Sequence, residues 1–280
     1  MITLAEAGSV RSTGWSDLAH ELDLWSGEGR TATLWWRDDD AVAAGNRLDR
    51  LLEIAGDTPV SLAVIPARAE PGLAARLAGS VLSGSRIAVL QHGWNHANQS
   101  ETRKSEFPAE RSATAVAADL GAGRTRLAAL FAGHALAVLA PPWNRIADCF
   151  LPRLGRCGIA ALSRLGPRRA AWPAAGLFEA NVHVDLVAWR TGRGFVGEAA
   201  ALGGLVGHLR ARRLGGADSG EPSGILTHHL VQDAATSDFL DRLVRLTSAH
   251  PAVRWLSGAE VFAPVRSASA PKGAVIEAAP

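Results

Sequence analysis

The amino-acid sequence predicts an α/β protein whose parallel strands close into a (β/α) barrel. Strand-like apolar runs alternate with helical patterns, the order that builds a parallel sheet with helices outside it. Seven or eight such units favour closure into a barrel over an open doubly wound sheet. The 280 residues, with 48% hydrophobic side chains and a net charge of +2, are ordinary for one globular domain.

The individual elements follow from the periodicity of the apolar residues and from turn residues between them. Strands are expected at Ala32–Arg37, Val60–Ile65, Arg86–Gln91, Leu136–Leu139, Gly158–Leu162, Phe178–Asp185, Gly224–Thr227 and Val253–Leu256. Helices are expected from Asn46 to Gly56 and at Pro71–Leu82, Glu110–Phe131, Ile146–Arg156, Glu198–Arg213 and Ala235–Ala249. One domain is expected over residues 1–266, with an exposed loop at Leu214–Ser223 and a disordered tail from Ser267 to Pro280.

The composition argues against a membrane or nucleic-acid partner. No apolar run approaches the roughly 20 residues that a membrane span needs, and the excess arginines form no basic block. The segment before Trp15 lacks the charged and apolar regions of a secretory signal. Cys149 and Cys157 lack CxxC spacing, which favours reduced structural thiols over a disulfide or a catalytic thiol. We therefore expect a cytoplasmic protein.

Polar and titratable residues cluster where the predicted strands end. Because the carboxyl ends of parallel strands meet at one face of a barrel, these clusters predict one shared pocket. Five of the nine histidines fall in these segments: His92, His96, His183, His228 and His229. The clusters are Arg37-Asp38-Asp39-Asp40, His92-Gly93-Trp94-Asn95-His96, Pro141-Pro142-Trp143-Asn144, Asp185 and His228-His229.

The histidine pair and the acidic run together indicate a metal site. His92 and His96 are four residues apart, a spacing typical of two ligands on one helical turn or on a loop around an ion. Gly93 stands where the zincin motif has Glu, which excludes that motif. Two histidines and one carboxylate, from Asp40 or Asp39, form a standard catalytic zinc set with an open position. The alternatives are structural histidines and an aspartate turn or helix cap.

Four motifs in this order resemble those of the polysaccharide deacetylases, also called the NodB-homology or carbohydrate esterase 4 group. They are Asp39-Asp40, His92-x-x-x-His96, Pro141-Pro142-Trp143 and Ile225-Leu226-Thr227-His228, and the resemblance spans Thr33 to Leu230. The His-x-x-x-His element and the late histidine are its most specific parts. The resemblance implies a distorted (β/α)7–8 barrel and a deacetylase that depends on zinc or another divalent metal.

The resemblance also implies roles for the acidic run and the first histidines. Asp39 would be the general base and Asp40 a metal ligand beside His92 and His96. The competing register shifts the aspartate roles by one residue, to Asp38 and Asp39. The metal would activate a water molecule, and the base would take its proton.

The remaining implied roles concern the later motifs. The backbone N–H of Trp143 would help hold the oxyanion, and His228 would protonate the leaving group, with Asp185 orienting its ring. Because successive strand side chains point to opposite faces, we expect His228 to face the barrel mouth and His229 the following helix. An Asp often stands at position 229 in the family, so the two histidines could exchange roles.

The chain departs from the family at several positions. Ala140 stands where the family has an Arg that orients the base, and Arg145 or Arg37 could take its place. Asp185 and Trp189 match the motif that tunes the catalytic histidine only in loose spacing. These departures suggest a divergent member.

The expected substrate is an N-acetylated carbohydrate or a small acylated metabolite. Four tryptophans beside the predicted site could stack on sugar rings or belong to the core: Trp35, Trp36, Trp94 and Trp143. The alternatives are a catalytically impaired carbohydrate-binding protein and another metal-dependent hydrolase, such as a phosphoesterase. The sequence leaves the oligomeric state open.

Overall fold

The computed structural model describes residues 12–82, 86–132 and 134–265. Within these ranges the strands are β1 (Ala32–Ala41), β2 (Val60–Val64), β3 (Ile87–Gln91), β4 (Ala135–Leu139), β5 (Ala161–Leu162), β6 (Phe178–Glu179), β7 (Val184–Asp185), β8 (Ser223–Thr227) and β9 (Val253–Leu256). The α-helices are α1 (Trp15–Gly27), α2 (Asn46–Ala55), α3 (Pro71–Leu82), α4 (Ala113–Leu130), α5 (Glu198–Arg213), α6 (Ala234–Ser248) and α7 (Gly258–Val261).

The strands form one parallel sheet that curls into a distorted barrel. Their order is β6-β5-β4-β3-β2-β1-β8-β7, and β9 adds a second partner to the first half of β1. The edge strands β6 and β7 are separated in the chain only by residues 180–183. Because this short connection joins the two edges, the sheet must curl until they approach each other. The predicted α/β barrel class is confirmed.

The sixth predicted strand is wrong in its extent. Phe178–Asp185 is not one strand but two short ones, β6 and β7, on opposite edges of the sheet. Asn181 lies between them, where its side-chain oxygen accepts from the backbone of Arg164 and its backbone N–H donates to Glu221. At this seam the backbone keeps an isolated bridge, Leu165↔Val182, and the hydrogen bonds of Asn181 supplement it.

Two further differences concern helices. The helix predicted at Ile146–Arg156 is a 3₁₀ helix at Asp148–Cys157, and Pro152 within it has no N–H to donate. Helix α1 was not predicted, although its apolar residues recur at helical spacing. Its side chains Leu18, Leu22 and Trp25 are buried and belong to the main core. Each such burial stabilises the fold by about 1.5–3 kcal/mol.

Several smaller expectations have mixed outcomes. Cys149 and Cys157 are both free thiols. The loop predicted at Leu214–Ser223 is exposed at its start but ends in the buried Glu221. The tail from Ser267 to Pro280 lies outside the described residues. In the described part of the chain no helix is long and apolar enough to cross a membrane.

His183 lies away from the predicted pocket, at the amino end of β7. There it stacks on His208, with ring centroids 3.4 Å apart and an interplanar angle of 16°. Its Nδ1 accepts from the backbone N–H of Gly224, so the neutral ring carries its proton on Nε2. Glu221 completes the cluster, 3.4 Å from that Nε2. Parallel rings cannot direct two in-plane lone pairs at one ion, so we interpret the cluster as structural.

Burial of this cluster makes it sensitive to acid. Burial lowers the pKa of His208 to about 2, and electrostatic interaction with His183 and Arg212 acts in the same direction. The folded protein therefore keeps His208 neutral, whereas the unfolded chain binds a proton there below about pH 6.5. The stability that His208 contributes is complete above this pH and falls as the pH decreases below it.

We predict that His208→Gln makes the free energy of unfolding less sensitive to acid. Between pH 7.5 and 5.5, His208 accounts for about 1.4 kcal/mol of the wild-type loss, because one proton is taken up on unfolding. Urea denaturation at both pH values measures the difference. The control is His20→Gln, since His20 is exposed on α1. Equal losses in the wild type and His208→Gln would refute the assignment.

Candidate active site

A bulge at the end of β1 brings two adjacent carboxylates near the same histidine. The β1–β2 pairing runs from Asp38↔Leu62 to Ala41↔Val64, so β1 carries one extra residue. Asp40 takes the left-handed backbone conformation, with φ of 70°, which aspartate tolerates better than most residues. The bulge interrupts the alternation of strand side chains. Asp39 and Asp40 therefore both lie within electrostatic range of His92.

Asp40, His92 and His96 form a three-ligand set suited to a divalent metal ion. Asp40 Oδ1 lies 3.2 Å from Nε2 of His92 and 3.2 Å from Nε2 of His96. This oxygen is buried and accepts no hydrogen bond. His92 Nδ1 lies 2.8 Å from the carbonyl oxygen of Ala140, so the proton belongs on Nδ1 and the Nε2 lone pair is free. An orphaned carboxylate oxygen facing two imidazole nitrogens fits a cation.

The pKa shifts in this set favour an ionised Asp40 and a neutral His96, the forms in which these two residues bind a metal ion. Burial raises the pKa of Asp40, but its contact with His92 and the charges of His228 and His96 hold that pKa well below its usual range. Burial lowers the pKa of His92, yet Asp39 and Asp40 raise it above its usual value. Burial and the charge of His92 lower the pKa of His96. An ionised carboxylate and a neutral histidine are the forms that bind metals.

Glu106 supports the loop between the two histidines, and sequence reasoning missed it. Its buried carboxylate accepts from the backbone N–H groups of Trp94 and Asn95. A Cβ at Gly93 would lie 1.9 Å from the Glu106 carboxylate and 2.7 Å from Pro142, and the backbone has φ of +62° there. Only glycine fits this position, and Gly93 was the single sequence signal that something approaches the loop.

Arg37 orients Asp39 from the same strand. Its guanidinium donates to both carboxylate oxygens, at 2.8 and 2.9 Å, and both side chains are buried. The remaining guanidinium donors reach the backbone and side-chain oxygens of Ser163 and the side-chain oxygen of Asn144. The N–H groups of the buried guanidinium thus all have hydrogen-bond acceptors, and the Asp39 carboxylate is fixed in a bidentate pair with Arg37.

Arg145 and Arg37 were the two candidates to replace the base-orienting Arg that the family has at position 140, and the structure favours Arg37. Arg145 donates instead to the backbone oxygen of Lys104, at 2.8 Å, and does not reach Asp39. The alanine side chain at position 140 is fully buried in the barrel interior. The absence of an Arg from this motif therefore does not leave Asp39 without a guanidinium partner.

Trp143 borders the metal-ligand set. Residues Pro142–Asn144 form a 3₁₀ turn in which Trp143 has φ of 55°. Its ring packs against His96, with centroids 4.3 Å apart. Trp35 and Trp36 do not line the site, because both are buried and their Nε1 groups donate within the core. Among these four tryptophans, Trp94 and Trp143 remain accessible to a ligand.

His228 lies on the other side of the site, after β8. Asp185 Oδ1 is 3.9 Å from His228 Nδ1, too far for the hydrogen bond that the sequence reasoning expected. The indole N–H of Trp189 donates to Asp185 at 2.8 Å, and the indole packs edge-to-face on His228, with centroids 4.7 Å apart. Asp185 therefore orients His228 mainly through Trp189. Burial raises the pKa of Asp185 despite the charge of His228.

The alternation argument predicted that His229 faces the following helix, but the structure pairs it with Asp38. Its Nδ1 instead contacts Asp38 in a buried pair, and its backbone N–H donates to the same carboxylate at 2.9 Å. Thr227 also donates to Asp38, at 2.6 Å. Burial lowers the pKa of His229, but Asp38 raises it above its usual value. Asp38 is thereby occupied, so the geometry favours the register with Asp39 and Asp40 at the site.

We predict that Asp40→Asn and His96→Ala each lower the affinity for zinc at least tenfold, because each removes one of three ligands. The wild type should bind about one divalent ion per chain. Elemental analysis after dialysis against each metal measures this. Asp49→Asn is a matched control, since Asp49 is an exposed aspartate paired with Arg76. Equal metal content in all four proteins would contradict the assignment.

Comparisons with known proteins place the fold. No protein-family model matches the sequence, and no curated protein matches it. A structure from Mycobacterium smegmatis, described as a candidate polysaccharide deacetylase, is 16% identical with a TM-score of 0.60, covering 94% of this chain and 96% of that one.

Two other similar structures have lower scores. A family 4 carbohydrate esterase from Streptomyces lividans in complex with acetate is 13% identical with a TM-score of 0.49, covering 79% of this chain and 90% of that one. A family 4 acetyl xylan esterase from Clostridium thermocellum with a cobalt ion is 16% identical with a TM-score of 0.49, covering 83% and 91%. The Mycobacterium smegmatis structure, with its TM-score of 0.60, shows that the chain has the fold of the polysaccharide deacetylases, and it confirms for the fold the resemblance drawn from the motifs.

Proposed function

We propose that the chain is a metal-dependent deacetylase that removes an acetyl or similar acyl group from an N-acylated sugar or related metabolite. The observation that carries this proposal is the meeting of Asp40, His92 and His96 with a guanidinium-held Asp39 at the carboxyl ends of the strands. When bound, zinc or another divalent ion would supply Lewis acidity, which polarises the acyl carbonyl and makes water a better nucleophile.

Asp39 would act as the general base. Its two oxygens each accept one hydrogen bond from Arg37, which fixes the plane of the carboxylate and leaves lone pairs for the proton of the attacking water. Arg37 also holds Asn144, the residue after Trp143. The base and the turn that would contribute an oxyanion donor, the Trp143 N–H, are thus positioned by one guanidinium.

His228 would act as the general acid. It lies within electrostatic range of Asp40, on the side of the site formed by β7 and β8. The indole of Trp189 restricts its ring, and Asp185 holds the indole. An acid distinct from the base can deliver a proton to the leaving amine or alcohol while water attacks the carbonyl carbon.

The main argument for the alternative, a catalytically impaired binding protein, is weakened by the structure. That alternative was based on Ala140, which stands where the family has an Arg beside the base. In this chain Arg37 supplies the guanidinium that contacts Asp39. A two-metal hydrolase would need more ligands than the set at Asp40 offers. The second group of possible metal ligands in the described residues, His183, His208 and Glu221, lies at the amino ends of the strands and so cannot add ligands to the first. The cytoplasmic location stays a prediction.

The experiment that tests the function measures acetate release from a panel of N-acetylated sugars by the zinc-loaded protein. We predict that His228→Ala lowers kcat by about 10²–10⁴-fold with metal content unchanged, as expected for loss of a general acid. His229→Ala should instead lower stability, by about 3–5 kcal/mol, because it leaves the Asp38 charge buried without its partner. A larger kcat loss from His229→Ala, at equal folded fraction, would reverse the two roles.

A further prediction concerns Arg37. Arg37→Lys keeps the charge but cannot form the two parallel bonds to Asp39, so kcat should fall by about 10–100-fold while zinc content is retained. Arg213→Lys is a matched control, because Arg213 makes the same forked contact with Glu21, at 2.7 and 3.1 Å, outside the site. Equal kcat values in Arg37→Lys and the wild type would show that Arg37 does not position the base.

A further inference from the structure

A groove opens beside the proposed reacting centre. It consists of two cavities of about 380 and 650 Å³ that share Asn144 and Arg164 in their walls. Asn144 directly follows Trp143 and accepts a hydrogen bond from Arg37. A substrate whose acyl group lies at the metal-ligand set would therefore extend past Asn144 into this groove.

The groove carries an excess of positive charge. Its walls include five arginines and three carboxylates: Arg103, Arg145, Arg164, Arg168, Arg169, Glu110, Asp148 and Glu179. Arg164 pairs with Glu179 at 2.7 Å, and Arg168 pairs with Asp218 at 2.8 Å. Among the residues that the structure describes, no carboxylate lies within ion-pair distance of Arg103, Arg145 or Arg169. The charges of these three guanidiniums are therefore not compensated by a carboxylate of the described residues, although Arg145 donates one hydrogen bond to the Lys104 backbone.

The backbone holds two of these arginines, Arg103 and Arg145, on neighbouring segments. The segments around Phe107 and Ile146 pair through a β-bridge, and the N–H of Ala147 donates to the carbonyl oxygen of Phe107 at 3.0 Å. Arg145 is tied to the neighbouring segment by its bond to the Lys104 backbone. Burial lowers the pKa of Arg145, and the charge of Arg103 lowers it further. An anion between these like charges would relieve their repulsion.

We propose that this groove binds an anionic substituent of the acylated substrate, a phosphate or a carboxylate, and that Arg103 and Arg145 determine that specificity. This inference rests on the proposed function for the identity of the reacting group. Guanidiniums match the oxygens of phosphate and carboxylate with parallel hydrogen bonds, which gives them selectivity for planar or tetrahedral anions. The substrate class is thus an anionic N-acyl sugar rather than a neutral one.

The test compares a neutral sugar with anionic ones on the zinc-loaded protein. The probes are N-acetylglucosamine, its 1-phosphate and 6-phosphate, and N-acetylmuramic acid, the last to separate a carboxylate from a phosphate. Calorimetry gives affinity and acetate release gives kcat/KM. We expect at least one anionic probe to exceed the neutral sugar about tenfold in affinity, and in kcat/KM where turnover occurs, with the advantage decreasing as salt increases.

Variants assign the preference to the groove. Arg145→Gln and Arg103→Gln should each reduce the ratio of anionic to neutral affinity about three- to tenfold, because only the anion contacts these groups. Arg156→Gln removes the same charge from an exposed position outside the groove and should change nothing.

The outcomes separate the two proposals. Acetate release from all four sugars at equal kcat/KM would overturn the anionic preference and leave the deacetylase proposal intact. Tight, arginine-dependent binding of an anionic sugar without acetate release would support the groove and contradict the deacetylase. If no anionic probe binds more tightly than N-acetylglucosamine, or if Arg156→Gln weakens binding as much as Arg145→Gln, the inference is wrong.

Discussion

The buried ion pair between Arg37 and Asp39 is the constraint on which the site depends. Removing two charges from water costs several kcal/mol for each, and the cost is offset only when every donor and acceptor is satisfied. Arg37 meets this condition by contacting Asp39, Ser163 and Asn144. One strand is thereby fixed against the segments that follow β4 and β5. Loss of the pair would release those strand ends as well as the carboxylate.

The same logic explains how three consecutive aspartates coexist at the end of a buried strand. Adjacent carboxylates repel one another unless each has its own compensating partner. Asp38 has His229, Asp39 has Arg37, and Asp40 faces two imidazoles with an oxygen that accepts no hydrogen bond. The bulge in β1 directs these side chains to different partners. Only the third aspartate is left for an external cation.

Much of this arrangement could be predicted from the sequence, and the misses have identifiable causes. Strand periodicity placed the acidic run and the histidines at strand ends, and parallel topology brought those ends together. The bulge was not predictable, because nothing local distinguishes Asp40 from Asp39. Glu106 was missed because its partners are backbone N–H groups, which have no sequence signature. His183 was misplaced because a division of Phe178–Asp185 into two strands depends on tertiary bonds to Asn181.

The turn after β4 connects positioning of the base with substrate recognition. Asn144 is held on the inside by Arg37, whereas Arg145, the next residue, lies on the groove side and contacts the backbone at Lys104. An anion bound at Arg145 would therefore act on a segment that is one residue from Asn144, which accepts a hydrogen bond from the Arg37 guanidinium that holds Asp39. Binding energy gained away from the reacting atoms increases kcat only when it is realised in the transition state. Because the groove and the base share this turn, the charged part of a substrate is well placed to contribute to the rate as well as to affinity.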